Sequence, residues 1–347
     1  MNTLTRFNPQ QDFEDRLLDE LLHVQATIVH SVTVRRRRRV RGIGLSAAAA
    51  ALVVAVVLQV APVPVNAPQP ASAATEFHKL SVAASSLPAV VLEPGQYVYT
   101  ESVSNSGPGH VSGDSYNVDF LWTRQFWVAP DGSGHGVFTA SDVTFPTPQD
   151  RAAWVAQGSP NIVALMAGES TFGPGDYGPM GIDEFTLPTD QSQLSQVIAS
   201  HLARVTSVQP GSTEYAATEF SYIGSLLRET AAPPAVQAEL LTLAQNLTGI
   251  TLIGPDTAPD GVAGIGLATA VPTGGGPSQE LIFNPSTGAL VAQEDWSTDS
   301  LGSKTLVRWT SYVAGGVVDN TSTTVPVSVT PSSTTSNSTT IHRANAS

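Results

Sequence analysis

Apolar positions fall into three patterns along the chain, and each predicts a different element. Phe13, Leu17, Leu21, Val24 and Ile28 recur at helical spacing, with Leu18, Leu22 and Val29 widening the stripe, so residues 8–30 predict an amphipathic helix. Asn8 is placed to cap it, Pro9 suits the first helical position, and Gln11 completes a box-like start. Asp12, Glu14 and Asp15 crowd the first turn, where the helix dipole favours acids. From Gly42 to Ala61 the periodicity gives way to a continuous uncharged run, GIGLSAAAAALVVAVVLQVA. Further on, Val118, Phe120, Trp122, Arg124, Phe126 and Val128 alternate with Asp119, Leu121, Thr123, Gln125 and Trp127, the period of a strand.

The uncharged run has the length of a bilayer core, about 30 Å at ~1.5 Å per residue. Its Ile, Leu and Val residues contribute about −3 to −5 kcal/mol of insertion free energy, offset in part by Ser46, Gln59 and the glycines. Arg35 to Arg39 and Arg41 abut its N-terminal end, while Pro62 to Thr75 carries no charge. Arginine is costly to translocate, so the expected topology is a cytosolic arm (1–41), one transmembrane helix (42–61), a Pro/Ala linker (62–75) and a C-terminal portion outside the membrane. A cleaved signal peptide is the main rival, because Ala71-Ser72-Ala73 resembles a small-residue cleavage site. The patterned arm ahead of the span and the length of the apolar run argue against cleavage, and a buried core helix is the remaining rival.

Outside the span, Asp131-Gly132-Ser133-Gly134 predicts a turn returning into a strand at Gly136–Ala140, with Tyr97–Glu101 as an earlier neighbour. Three helices are expected in the middle. The first, capped by Thr189, presents Leu194, Val197, Ile198, His201, Leu202 and Val205. The second carries Phe220, Ile223, Leu226 and Leu227. The third runs from Pro233-Pro234 through Val236, Leu240, Leu241, Leu243 and Leu247 to a stop at Gly249. Strands are expected again at 250–253, 261–269, 280–283, 289–294 and 305–313. Asn284-Pro285-Ser286-Thr287-Gly288 is a hairpin loop whose glycine takes positive φ. Strands, helices and strands in that order predict an α+β extracytoplasmic domain at 76–318, a curved antiparallel sheet packed on a helical layer. The Ser/Thr-rich tail at 319–347 is expected to be disordered.

Charge reinforces this division. The chain carries −13 overall, yet residues 1–61 hold eight arginines against five acids, and residues 62–347 hold eight basic residues against 24 acids. An acidic outer portion repels nucleic acid and anionic headgroups, so no nucleic acid partner is expected. The absence of cysteine excludes disulfides, thiolate metal sites, a cysteine nucleophile and a cysteine-linked lipid anchor.

Several segments are distinctive: Leu187-Pro188-Thr189-Asp190, Ile223-Gly224-Ser225-Leu226-Leu227-Arg228-Glu229, Pro233-Pro234 leading into Glu239-Leu240-Leu241, and Glu280 to Gly288. Together with the arginine run and the single span, they resemble a family of uncharacterised, membrane-anchored proteins of high-GC Gram-positive bacteria. The resemblance covers most of residues 30–315 and departs where Asn284 replaces the usual Asp of the hairpin. It implies the architecture and topology above and brings no activity with it. The layout also resembles, at the level of fold, the lipoprotein carriers and sigma-factor regulators of bacterial envelopes, in which a curved sheet wraps helices.

Candidate chemistry is sparse. His78, His110, His135, His201 and His342 lie in the outer part, none with a His at i+4 or a Glu at helical spacing. His201 sits on an apolar helix face and reads as a core residue. Gly113-Asp114-Ser115 lacks the strand–turn–helix setting of an esterase nucleophile, and Gly274-Gly275-Gly276 lacks the Lys-Ser/Thr of a phosphate cradle. Arg228 and Glu229 read as a structural ion pair or cap. Trp122, Trp127, Trp154 and Trp309 read as filling between sheet and helices rather than as a carbohydrate platform. No residue is therefore singled out as catalytic, cofactor-binding or metal-ligating, and no cofactor is expected. The leading expectation is a non-enzymatic binding or sensory protein in the cell membrane, with a cytosolic protein partner for residues 8–30 in the manner of an anti-sigma regulator. A carrier or chaperone with an apolar pocket is the alternative, and an envelope hydrolase comes third.

Overall fold

Short hairpins and amphipathic helices dominate the described residues. The computed structural model describes residues 72–324 except 90, 106, 108, 111–114, 175–186, 229–231 and 272–275. The chain divides into Met1–Gln69 and Pro70–Ser347, and every described residue belongs to the second unit. The predicted arm, arginine run and span at 42–61 lie outside the described residues, as do residues 62–71 of the linker. Among the described residues, no helix is long and apolar enough to cross a membrane.

Helix α1 (Ala73–Ser85) opens the domain, followed by β1 (Tyr97–Asn105), β2 (Gly109–His110), β3 (Asn117–Val128) and β4 (Gly134–Thr144). Helices α2 (Pro148–Ala156) and α3 (Ile162–Met166) lead to β5 (Gly168–Phe172). The helical middle follows as α4 (Gln191–Val205), α5 (Thr213–Arg228) and α6 (Pro234–Gln245). Strands β6 (Ile250–Thr257), β7 (Ala263–Thr269), β8 (Gly276–Phe283), β9 (Leu290–Thr298) and β10 (Lys304–Val318) complete it. The sheet is antiparallel throughout, in the order β5-β4-β3-β1-β10-β9-β8-β7-β6, with β2 added to β3. The domain is α+β, as the element order predicts.

Local signals account for the boundaries. The turn after β3 forms where Asp131 accepts from the Ser133 amide at 2.9 Å and Gly132 takes φ +75°. At the β8–β9 hairpin, Asn284 Oδ1 accepts from the Ser286 amide at 2.9 Å, the role an Asp would fill, and Gly288 takes φ +69°. A Cβ at Gly288 would fall 2.4 Å from Leu80 O, so this loop lies directly against α1. The cap of α4 is Asp190, which accepts from Gln193 N at 2.9 Å, rather than the expected Thr189. At the start of α1, Ser72 Oγ accepts from Thr75 N at 3.1 Å, so the last residues assigned to the linker form a helical turn and Ala71-Ser72-Ala73 runs into a cap.

Helices α1, α4, α5 and α6 share one core with β7, β8 and β9. Phe77 of α1 stands edge-to-face against Phe220 of α5 and Phe283 of β8, at centroid distances of 6.3 and 6.1 Å. Gly224 lets α5 approach β8, because a Cβ there would meet Leu281 at 3.0 Å. A polar ladder crosses the same face. Arg308 of β10 donates to Asp295 of β9 at 3.2 Å, and Gln279 of β8 reaches Asp295 at 3.3 Å and Ser221 of α5 at 3.2 Å. A smaller core joins Tyr116, Val118 and Phe120 to α2 and α3. The tail, expected to be disordered from Asp319, begins folded: Trp127 Nε1 donates to Thr323 O at 2.7 Å. Residues 325–347 lie outside the described residues.

Candidate functional site

Alternation along β3 puts Phe120, Trp122, Arg124 and Phe126 on one face of the sheet. Register then decides their neighbours. Arg124 faces Ser102 on β1 and Phe138 on β4, and Ser102 in turn faces Tyr312 on β10. The C-terminal residue of α5, Arg228, meets this row of strands. The result is a small cleft, about 20 Å³ in volume, lined by Thr100, Glu101, Ser102, Arg124, Phe126, Arg228, Tyr312 and Ala314.

The lining is rich in hydrogen-bond donors: two guanidinium groups and the hydroxyls of Thr100, Ser102 and Tyr312. Among the described lining residues the one carboxylate, Glu101, is held by neighbours on the sheet. Tyr99 Oη donates to Glu101 Oε2 at 2.5 Å, and Gln125 Nε2 donates to Tyr99 Oη at 2.9 Å and to Glu101 Oε2 at 3.1 Å. Burial, then the hydrogen bond and charge of Glu101, push the Tyr99 phenol above its ordinary value, so it stays a neutral donor to Glu101.

Beside the cleft runs a continuous aromatic row. Phe120 contacts Trp122 (6.2 Å), Trp122 contacts Phe138 (5.9 Å), and Phe126 contacts both Phe138 (5.6 Å) and Phe172 (6.5 Å). All five rings are partly exposed. Trp122, Phe126, Phe138 and Phe172 belong to none of the buried cores. Among the described residues, Trp122 Nε1 is buried without a hydrogen-bond partner. Phe126 is shared by the row and the cleft.

The sequence candidates disperse. His201 is 2 % exposed and stacks on Tyr222 at 4.5 Å with rings 2° from parallel, which makes it a core residue. Burial, reinforced by the charge of Arg204, lowers its pKa. His135 packs against Trp127 at 5.6 Å, and His78 is exposed on α1. The His110 side chain, His342, Gly113-Asp114, Glu229 and Gly274-Gly275 lie outside the described residues. Ser115 is described, and its hydroxyl accepts from Gln157 at 3.1 Å. Among the described residues, no group of three or more His, Asp or Glu side chains could hold a metal ion. None of the four tryptophans weighed as core filling joins the main helix–sheet core. Trp127 and Trp154 serve smaller clusters, and Trp122 stands in the aromatic row.

Arg124 is a residue that the sequence did not single out, although it is the lone charge on an otherwise apolar face of its strand. Arg228 lies in the distinctive segment at 223–229 and reads with Glu229 as a structural ion pair or cap rather than as part of a site; Glu229 lies outside the described residues.

No family model matches the chain, and no curated protein matches it. The family resemblance carried by Leu187–Asp190 and Ile223–Glu229 therefore gains no support from that side. Among solved structures, the Pseudomonas aeruginosa MucA/MucB complex is similar at 12 % identity, with a TM-score of 0.25, over 72 % of this chain and 58 % of that one. MucB in complex with MucA(peri) is similar at 11 % identity and a TM-score of 0.26, over 72 % and 56 %. The chain spans less than two thirds of either, and TM-scores of this size set no expectation for its function.

Proposed function

We propose that this chain is a single-pass membrane protein whose folded domain binds a ligand outside the membrane. Residues 1–41 are cytosolic in this reading, the span lies at 42–61, and the helix at 8–30 passes the signal to a cytosolic protein partner. The topology rests on the arginine run beside an uncharged stretch of bilayer length. The binding role rests on one observation: a donor-lined cleft meets a partly exposed aromatic row on a sheet braced by a filled core. The packing of Phe77, Phe220, Phe283 and Leu281 between sheet and helices weighs against the alternative, a carrier that encloses an apolar ligand between those layers. The domain acts by binding rather than by catalysis.

Reporter fusions test the topology on which the rest depends. Alkaline phosphatase fused after Ser347 should be active and β-galactosidase at the same point inactive, with the chain released from membranes by detergent and not by carbonate. An active β-galactosidase fusion, or an intact chain in the soluble fraction, would overturn the reading.

A further inference from the structure

We infer that the outward side of helices α2 and α3 rests on the membrane surface, at the boundary between lipid headgroups and acyl chains; this deepens the topology proposed above and rests on it. From Ala152 to Gly168 the chain holds no charged residue, within a portion, residues 62–347, that carries 24 acids. Both helices turn one side inward. Ala153 and Trp154 of α2 and Ile162 and Met166 of α3 join the small core of Tyr116, Val118 and Phe120, and Trp154 Nε1 donates to Pro160 O at 3.0 Å in the turn between the helices. Helical spacing sends the intervening positions to solvent. Val155 is 55 % exposed, Val163 42 % and Leu165 58 %, with Ala152, Ala156 and Ala164 exposed on the same helices. A lone exposed aliphatic residue is ordinary, whereas three on two consecutive helices packed on one core form a patch.

Size and tether choose what covers it. An interface between two protein chains takes about 20–30 residues a side, far more than these few positions provide. A bilayer asks less of a domain that is already held beside it. In the proposed topology the linker shortens to residues 62–71, because Ser72 caps α1, and a stretch of that length spans at most about 35 Å. A tether of this reach gives an effective concentration in the millimolar range, roughly, at which a contact too weak for a free protein is populated. Charge agrees. Anionic headgroups repel the domain wherever its acids face them, so the uncharged side is the one that can approach. Arg151, exposed at the margin of the patch, is placed to meet a lipid phosphate.

The chain has no cysteine, so one introduced thiol carries a unique label. Full-length L165C bearing a nitrobenzoxadiazole fluorophore is reconstituted into phosphatidylcholine liposomes. T251C serves as the reference, because exposed Thr251 lies on β6, the edge of the sheet remote from the β4 strand against which α3 packs. A lipid spin-labelled high on its acyl chain should quench the label at position 165 at least about twofold more than the reference, as a side chain at interfacial depth requires. Val163→Asp in the L165C chain should remove most of that excess, with far-UV circular dichroism checking the fold of every variant. Equal quenching at both positions in a chain that stays with the liposomes through a carbonate wash would overturn the membrane contact and leave the topology standing. An excess that V163D leaves unchanged would do the same. A label at position 165 shielded from water but not quenched by the lipid, with shielding that grows with protein density, would assign the patch to a second copy of the chain and overturn the contact. Loss of the chain in the wash would overturn the topology and this inference with it.

Discussion

His201 shows how a titratable side chain serves packing. It lies flat on Tyr222 inside the core, and burial disfavours its protonation. Its folded pKa is lowered, so below about pH 6.5 the unfolded chain takes up a proton that the folded chain does not. The contribution of His201 to stability is therefore complete above that pH and is lost as the pH falls below it. Replacing His201 by Phe keeps a ring against Tyr222 and removes the titration. We expect the variant's denaturation midpoint, followed by tryptophan fluorescence, to fall less between about pH 7 and pH 5 than the wild type's. A wild-type chain with equal or greater midpoint at the lower pH would contradict the assignment. All five tryptophans lie in the described domain, so the signal reports its folding alone.

At the scale of elements, helices α4 to α6 and the β8–β9 hairpin were legible because their cues are local: an apolar stripe, a proline entry, a glycine exit. Helix α1 was not. Its stripe is short, with Phe77, Leu80 and Ala84 as its buried apolar residues, and it follows a Pro/Ala run that reads as spacer. Strand β5 was missed for a different reason, since GESTF has no alternation and its first four residues are exposed. The cleft was illegible because it needs β1, β3, β10 and the end of α5 together, and no sequence spacing encodes that meeting. The weight of α1 can be measured. Phe77→Ala removes a ring that touches both Phe220 and Phe283, and we expect it to cost about 3–5 kcal/mol in chemical denaturation. A loss below about 1 kcal/mol would mean that α1 is a loosely held appendage, contrary to the packing seen here.

For the whole molecule, the seam between β1 and β10 joins the two halves of the sheet. Tyr97 faces Val318 and Asn105 faces Trp309 across it, while β1 also carries β3 on its other side. One half is a meander from β6 to β10 roofed by helices, and the other runs from β1 through β3 and β4 to β5. Truncation after Thr298 removes β10 and separates the halves. We expect that variant to lose a single cooperative unfolding transition, because β1 and β9 would each expose an edge of unpaired amides. Retention of one sharp transition would show that the halves hold together by other means.

That seam sets a timetable for the ribosome. Strand β1 leaves the exit tunnel long before its neighbour β10 has been synthesised. Pairings this distant in sequence are slow to close. The nascent chain therefore carries one bare strand border through most of translation, and holdase chaperones have that interval in which to protect it.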